Sequence, residues 1–146
     1  MTALDAPNAA KDLVATAAAL RAHAACSGRV ASLGFCMGGR LSFVCAAEGA
    51  VDAAVCYYGG GIHNMLDRVP AIRVPMLLHF AEKDGYIPMA AVDSVKVAFA
   101  GRDNVRIDVY GGVDHGFNCW GRPMYNQKAA ALARGRSLSF LSGTIC

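Results

Sequence analysis

Apolar positions recur along the chain in two rhythms. Between residues 8 and 25, Leu13, Val14, Ala17 and Leu20 fall at helical spacing in an alanine-rich stretch, with Asp5 and Pro7 ahead of it and Cys26-Ser27-Gly28 behind. This pattern predicts a capped amphipathic helix. Residues 30–35 then form a short apolar run closed by glycines, the mark of a strand buried on both faces rather than half exposed. A helix is expected over 38–48. A second apolar run, 50–58, ends at Gly59-Gly60-Gly61, and a third covers 75–81. The fourth, 105–110, stops at Gly111-Gly112. Residues 88–100 read as a helix with Pro88 in its first turn, and 125–141 as a C-terminal helix.

Strand followed by helix thus repeats, and the strands are apolar throughout. That alternation predicts an α/β fold: a parallel sheet of about four strands with helices covering both faces. No internal repeat, low-complexity tract or linker divides the chain, so residues 1–146 are expected to form one domain.

Composition removes several function classes. With 55% hydrophobic and 17% charged residues, the chain falls outside the disordered class. Its net charge of +3 is spread over Lys11, Arg21, Arg29, Arg40, Arg68, Arg73, Lys83 and onward, without a stripe suited to nucleic acid or anionic lipid. No apolar stretch reaches the roughly 18 residues of a membrane span. The N-terminus lacks the basic and apolar regions of a secretory signal, so a soluble, cytoplasmic protein is expected. The cysteines at positions 26, 36, 45, 56, 119 and 146 form no C-x-x-C pair and no zinc spacing. No disulfide framework, metal or cofactor is expected, and most of these cysteines should be small buried hydrophobes.

One cysteine is placed differently. Gly34-Phe35-Cys36-Met37-Gly38-Gly39 lies between an expected strand and an expected helix, where G-x-nucleophile-x-G makes a nucleophile elbow. Glycines on both sides are what such a sharp turn needs, because side chains there would clash as strand and helix approach. At a helix start, unpaired N–H groups and the helix dipole favour the thiolate form. The Met37 N–H would point into an oxyanion site. A cysteine beside a glycine turn can also be one more core residue, but strand, elbow and helix in register favour a nucleophile.

A base and an acid are available. Asp84 follows the third apolar run, and His115 follows the fourth after two glycines. Both would therefore arrive at the same C-terminal edge of a parallel sheet as the elbow. The order nucleophile, acid, histidine is that of α/β-hydrolases. Asp84 could alternatively be a turn residue before Gly85, and Asp114 is a rival acid, although an adjacent residue rarely curls back onto its neighbour's ring. His79, inside an apolar strand, reads as a satisfied core residue, and His23 as an exposed helix residue. His63, after the triple glycine, could line a cleft.

These motifs together resemble the dienelactone hydrolase (carboxymethylenebutenolidase) family of α/β-hydrolases. The likeness rests on Gly34-Phe35-Cys36-Met37-Gly38-Gly39-Arg40, Val55-Cys56-Tyr57-Tyr58-Gly59, Lys83-Asp84 with Pro88, and His115-Gly116-Phe117-Asn118. It runs from about Asp5 to the C-terminus, and a cysteine in the elbow makes it specific. The resemblance implies a Cys36, Asp84, His115 triad that opens activated enol lactones or esters through an acyl-enzyme. It also implies that Tyr58 lines the cleft and that Arg122 meets a substrate carboxylate. Compared with that family the chain lacks an N-terminal half, with several strands and one oxyanion donor. The implied fold is thus a partial α/β-hydrolase, whose first strand would carry an unpaired edge able to join a second copy or a complementing chain. A catalytically silent fragment acting only by such association is the alternative expectation. Nucleotide binding is disfavoured, since neither G-x-G-x-x-G nor a P-loop motif occurs.

Overall fold

The computed structural model describes residues 5–146. Helix α1 (Ala6–Ala22) is followed by β1 (Ala31–Phe35), α2 (Met37–Ala47) and β2 (Ala53–Tyr57). Two short 3-10 helices, Ile62–Asn64 and Leu66–Ala71, lead to β3 (Met76–Ala81). Then come α3 (Met89–Ala98), β4 (Val105–Tyr110) and α4 (Gln127–Ile145). The strands form one sheet in the order β1-β2-β3-β4, every neighbouring pair parallel. This is the expected α/β architecture.

Boundaries moved where local chemistry decides them. Helix α1 starts two residues before the expected point because Asp5 is its N-cap, accepting the Asn8 N–H at 3.1 Å. It ends at Ala22, three residues early. Pro88 is the N-cap of α3 rather than part of its first turn. Asn126 caps α4, accepting the Ala129 N–H at 3.0 Å. The two 3-10 helices were not anticipated, because their sequence carries neither helical nor strand periodicity.

Side-chain alternation places the layers. Ser32 on β1 meets Ser42 on α2 at 2.7 Å, so the sheet face carrying Ser32 and its neighbour in register, Ala54, lies under α2. Tyr57 points the other way, its hydroxyl 2.7 Å from Ser137 on α4. His79, paired with Tyr57 in register, bonds the same Ser137 through Nε2 at 2.9 Å and Tyr110 through Nδ1 at 2.9 Å. It is fully buried, the satisfied core histidine expected from sequence, and burial lowers its pKa from 6.5 to about 4. The core is the central pair β2 and β3, buried at every position, with Phe43, Ile62, Val92 and Phe117 packed around them.

The expectation that all strands are buried on both faces fails at the edges. In β4, Arg106 is exposed and Asp108 half-buried. In β1, Leu33 is 45% and Phe35 43% exposed. Leu33 pairs with the fully buried Val55, yet its side chain lies on the α4 face beyond the cover of α4. An apolar composition suited to an interior strand therefore occupies an edge. Among the described residues no helix is long and apolar enough to cross a membrane.

Candidate active site

Cross-strand bonding continues past the strand ends and ties together the loops at the C-terminal edge. The Cys36 N–H donates to the Tyr57 carbonyl at 3.0 Å, and the Tyr58 N–H to the His79 carbonyl at 2.7 Å. Beyond β3, the Glu82 N–H bonds the Tyr110 carbonyl at 3.0 Å and the Lys83 N–H the Val113 carbonyl at 2.9 Å. The Glu82 carboxylate also accepts the Gly112 N–H at 2.7 Å. Successive loops are thereby held in register, and they carry Cys36, Tyr58, Asp84 and His115 to one edge.

Cys36 stands at the join of β1 and α2 with φ 55° and ψ −116°, dihedrals that a non-glycine residue adopts only when its surroundings force it. What forces it is close approach. A Cβ on Gly34 would land on the Gly38 carbonyl, and one on Gly39 would sit 2.5 Å from the Tyr57 carbonyl oxygen. With the Arg40 N–H on the Cys36 carbonyl at 3.1 Å, α2 begins directly at the elbow. Cys36 is exposed, unlike the buried Cys45 and Cys56, and Met37 follows as the first residue of α2, where N–H groups lack an intrahelical acceptor.

Asp84 is 5% exposed and fully engaged. Its Oδ1 accepts the Tyr86 N–H at 2.8 Å and the Ile87 N–H at 3.1 Å, while Oδ2 lies 2.8 Å from His115 Nδ1. That pairing, opposed by burial and reinforced by the nearby Cys36 thiol, raises the His115 pKa from 6.5 to about 9. Asp114 does something else: its Oδ1 accepts the backbone N–H of His115 at 2.6 Å. The contact of Asp84 with His115 is the one expected, and Asp114 is not on the ring. The Cys36 thiol lies close enough to the imidazole to add to the upward shift of its pKa.

A cavity of about 650 Å³ opens over these groups, walled by Phe35, Cys36, Met37, Arg40, Tyr58, Gly60, Tyr86, His115, Gly116, Cys119 and Arg122. Tyr58 is 3% exposed with φ 35°, its ring 4.9 Å from that of His115. Burial, then the neighbouring Cys119 and Cys36, drive its pKa far up, so its hydroxyl keeps its proton. Tyr86 stands edge-on to His115 at 5.1 Å. Arg122 is exposed on the turn that follows His115, its N–H on the Cys119 carbonyl at 3.0 Å. His63 is not part of this wall. It sits in the first 3-10 helix with Nδ1 buried and unpartnered, so the cleft-lining expectation for it is corrected. His23 caps the C-terminus of α1 and is exposed, as expected. Sequence reasoning missed Tyr86, Cys119 and Arg40 as lining residues. For Arg40 the available signal was its place four residues after the elbow cysteine, and for Tyr86 its place in the loop of Asp84. No group of three or more His, Cys, Asp or Glu suited to a metal occurs among the described residues.

Comparison with known proteins adds a family to this geometry. The profile of the dienelactone hydrolase family matches residues 1–145. A provisionally assigned carboxymethylenebutenolidase of Azospirillum brasilense is 41% identical over 104 residues, covering 71% of this chain and 45% of that protein. The carboxymethylenebutenolidase of Pseudomonas putida is 35% identical over 116 residues, 80% of this chain and 49% of that protein. Among solved structures, a provisionally assigned dienelactone hydrolase from Klebsiella pneumoniae superposes with a TM-score of 0.83 at 27% identity, over 94% of this chain and 61% of that one. The chain spans about half the length of the curated relatives it matches.

Proposed function

Since the chain belongs to the dienelactone hydrolase family, we propose that it hydrolyses activated carboxylic esters and enol lactones at Cys36, with His115 as its base and Asp84 orienting that base. The observation that carries this reading is a single one: an exposed cysteine in a strained elbow shares a cavity with a histidine whose Nδ1 is held by a buried carboxylate.

The chemistry follows from these positions. The hydrogen bond to Asp84 favours the imidazolium form of His115, which therefore holds the proton given up by Cys36. The thiolate attacks the carbonyl carbon, forming an Sγ–C bond, and the Met37 N–H stabilises the developing oxyanion. Collapse breaks the bond to the enolate or alkoxide, which leaves with the proton from His115 and gives a thioester on Cys36. Water, deprotonated by His115, attacks the thioester; the acid departs, and the thiol is restored. A thiolate is also a good leaving group, so amides would largely revert. Substrates with stabilised leaving groups are the ones that go forward. Tyr58 offers its protonated hydroxyl to the cavity, and Arg122 a cation for a substrate carboxylate.

The direct experiment is hydrolysis of a dienelactone by the 146-residue chain, followed by loss of conjugated absorbance, with Cys36→Ala as the control. Turnover dependent on Cys36 supports the proposal, and turnover retained in the variant rejects it.

A specific observation favours a second reading, in which the chain works only in association. Among the described residues the outer edge of β1 has no partner strand, and Leu33 and Phe35 are exposed on the face beside it. On this reading another strand, from a second copy or a complementing chain, pairs there. Sedimentation velocity over a range of concentrations should then show self-association that Leu33→Lys reduces. A monomer at every concentration would remove pairing between two copies.

A further inference from the structure

Two cysteines line the cavity over the elbow. Cys36 and Cys119 both form its wall, and both thiols neighbour the buried Tyr58 hydroxyl. Ester hydrolysis uses Cys36 and leaves Cys119 without a role. The other cysteines are sealed or remote. Cys45 and Cys56 are buried, and Cys26 precedes β1, at the opposite end of the strands from the elbow. Cys146 ends α4 on that same far side, where the Thr144 carbonyl accepts a hydrogen bond from Arg29 at 3.0 Å.

Cys119 stands on a segment that is tied down at its base and open above it. Phe117 is fully buried, and the Asn126 N–H donates to the Phe117 carbonyl at 3.0 Å, which closes a loop over residues 118–125. That loop holds neither helix nor strand. Its backbone hydrogen bonds are turn contacts: the Cys119 N–H to the Gly116 carbonyl at 2.8 Å, the Arg122 N–H to the Cys119 carbonyl at 3.0 Å and the Tyr125 N–H to the Arg122 carbonyl at 3.0 Å. These contacts are internal to the loop, and Trp120 at its tip is 85% exposed, so Cys119 can approach the elbow without unpacking the core. A disulfide needs Cα atoms about 4.4 to 6.8 Å apart, and a loop of this kind is the element able to reach that separation from a fixed partner. Cys36 is that partner, held exposed at the start of α2. Its thiolate, formed when His115 takes the proton, is the form that a hydroperoxide oxidises.

We propose that Cys119 is the resolving thiol of Cys36, so that the same cavity reduces hydroperoxides through a Cys36–Cys119 disulfide. This rests on Cys36 being the reactive thiol of the proposed function. The Cys36 thiolate attacks the terminal oxygen of the hydroperoxide; the Sγ–O bond forms as the O–O bond breaks, and the departing alkoxide or hydroxide takes the proton held by His115. Cys36 is then a sulfenic acid. The Cys119 thiol attacks its sulfur, the S–O bond breaks, and water leaves with the Cys119 proton as the disulfide closes. A soluble dithiol supplies the two electrons that reopen it. Hydrolysis stops while the disulfide stands, and Cys36 is spared the further oxidation to sulfinic acid that thiols do not reverse.

Hydrogen peroxide is the probe. The reduced 146-residue chain is treated with it in modest excess, alkylated with iodoacetamide and digested with trypsin without reductant, which leaves Cys36 alone on residues 30–40 and Cys119 alone on residues 107–128. Mass mapping should show these two peptides joined and short of two hydrogen atoms, in chains that run as monomers on a non-reducing gel. Dithiothreitol should release both. In Cys119→Ser the sulfenic acid on Cys36 should persist long enough for capture by dimedone, and the Cys36 thiol that dithiothreitol recovers after excess peroxide should fall several-fold. Cys36 passing to sulfinic acid in the unaltered chain as fast as in Cys119→Ser, or paired with Cys26, Cys146 or a second chain, overturns the inference and leaves the proposed function standing. Should Cys119→Ser fail to fold, the unaltered chain decides, since absence of the joined peptides there overturns the inference. If peroxide oxidises Cys36 no faster in the folded chain than in the same chain unfolded in urea, the inference falls, and Cys36-dependent turnover of a dienelactone judges the proposed function separately.

Discussion

Asp84 shows how much one carboxylate fixes. Two backbone N–H groups hold Oδ1, which leaves Oδ2 only one geometry, facing His115 Nδ1 at 2.8 Å. The imidazole is consequently presented with its other nitrogen free, in the sense a base next to Cys36 requires. Because the bond to Asp84 is the largest cause of the raised His115 pKa, Asp84→Asn should bring that value from about 9 back toward 6.5. Cys36→Ala should lower it less, since the thiol is a smaller contributor. Titration of the His115 ring protons by NMR measures both, and a larger drop in the cysteine variant would contradict the assignment of roles.

At the scale of elements, the site depends on the closeness of β1, α2 and β2. The strained dihedrals of Cys36 persist because Gly34 and Gly39 let the helix start against the strand and against the Tyr57 carbonyl. Gly39→Ala places a methyl 2.5 Å from that oxygen, with backbone on both sides and no flexible group to yield. The expected cost is several kcal/mol, on the order of the largest single-substitution effects, seen as a lower urea midpoint together with loss of selective Cys36 alkylation. Retention of both would show that the elbow does not need the close contact.

These elements were readable from sequence to different degrees. The central strands β2 and β3 and the glycine-flanked turn at Cys36 follow from uninterrupted apolar runs and punctuation, local signals that tertiary contacts reinforce. For strand β1 the apolar run points to burial on both faces, whereas the family resemblance implies an unpaired edge, and the edge is what the sheet order gives. Its run states that it suits burial on both faces, but pattern alone does not say which neighbours are present, and Leu33 and Phe35 end up exposed. Residues 62–71 escaped because 3-10 turns have no periodic signature. Arg40 stands in the elbow motif, yet its place in the cavity wall beside Gly60 joins distant segments that spacing does not reveal. Asp84 was chosen over Asp114 on the difficulty of adjacent residues meeting, and the observed hydrogen bonds agree with that argument.

For the whole molecule, the buried His79 and the half-buried His115 pull stability in opposite directions with pH. His79, at about 4 when folded, refuses a proton that the unfolded chain accepts near 6.5, so stability falls as pH drops through that interval. His115, at about 9 when folded, keeps a proton that the unfolded chain releases. Its contribution is complete below about 6.5 and is lost as pH rises through 9. Stability should therefore peak near pH 6.5. Urea denaturation across pH 4–10 tests this, and Asp84→Asn should flatten the alkaline limb while leaving the acid limb, set by the His79, Tyr57, Ser137 and Tyr110 network, in place. A peak displaced above pH 9 would contradict the assignment of a raised His115.

The central claim concerns Cys36, and one measurement reaches it most directly. The 146-residue chain is mixed with a dienelactone, absorbance loss is followed, and the quenched protein is mapped by mass for an acyl group. The account predicts turnover that disappears in Cys36→Ala, with the acyl mass on the peptide containing Cys36 and on no other cysteine. Turnover that survives that substitution, or an acyl group carried by another residue, would contradict it.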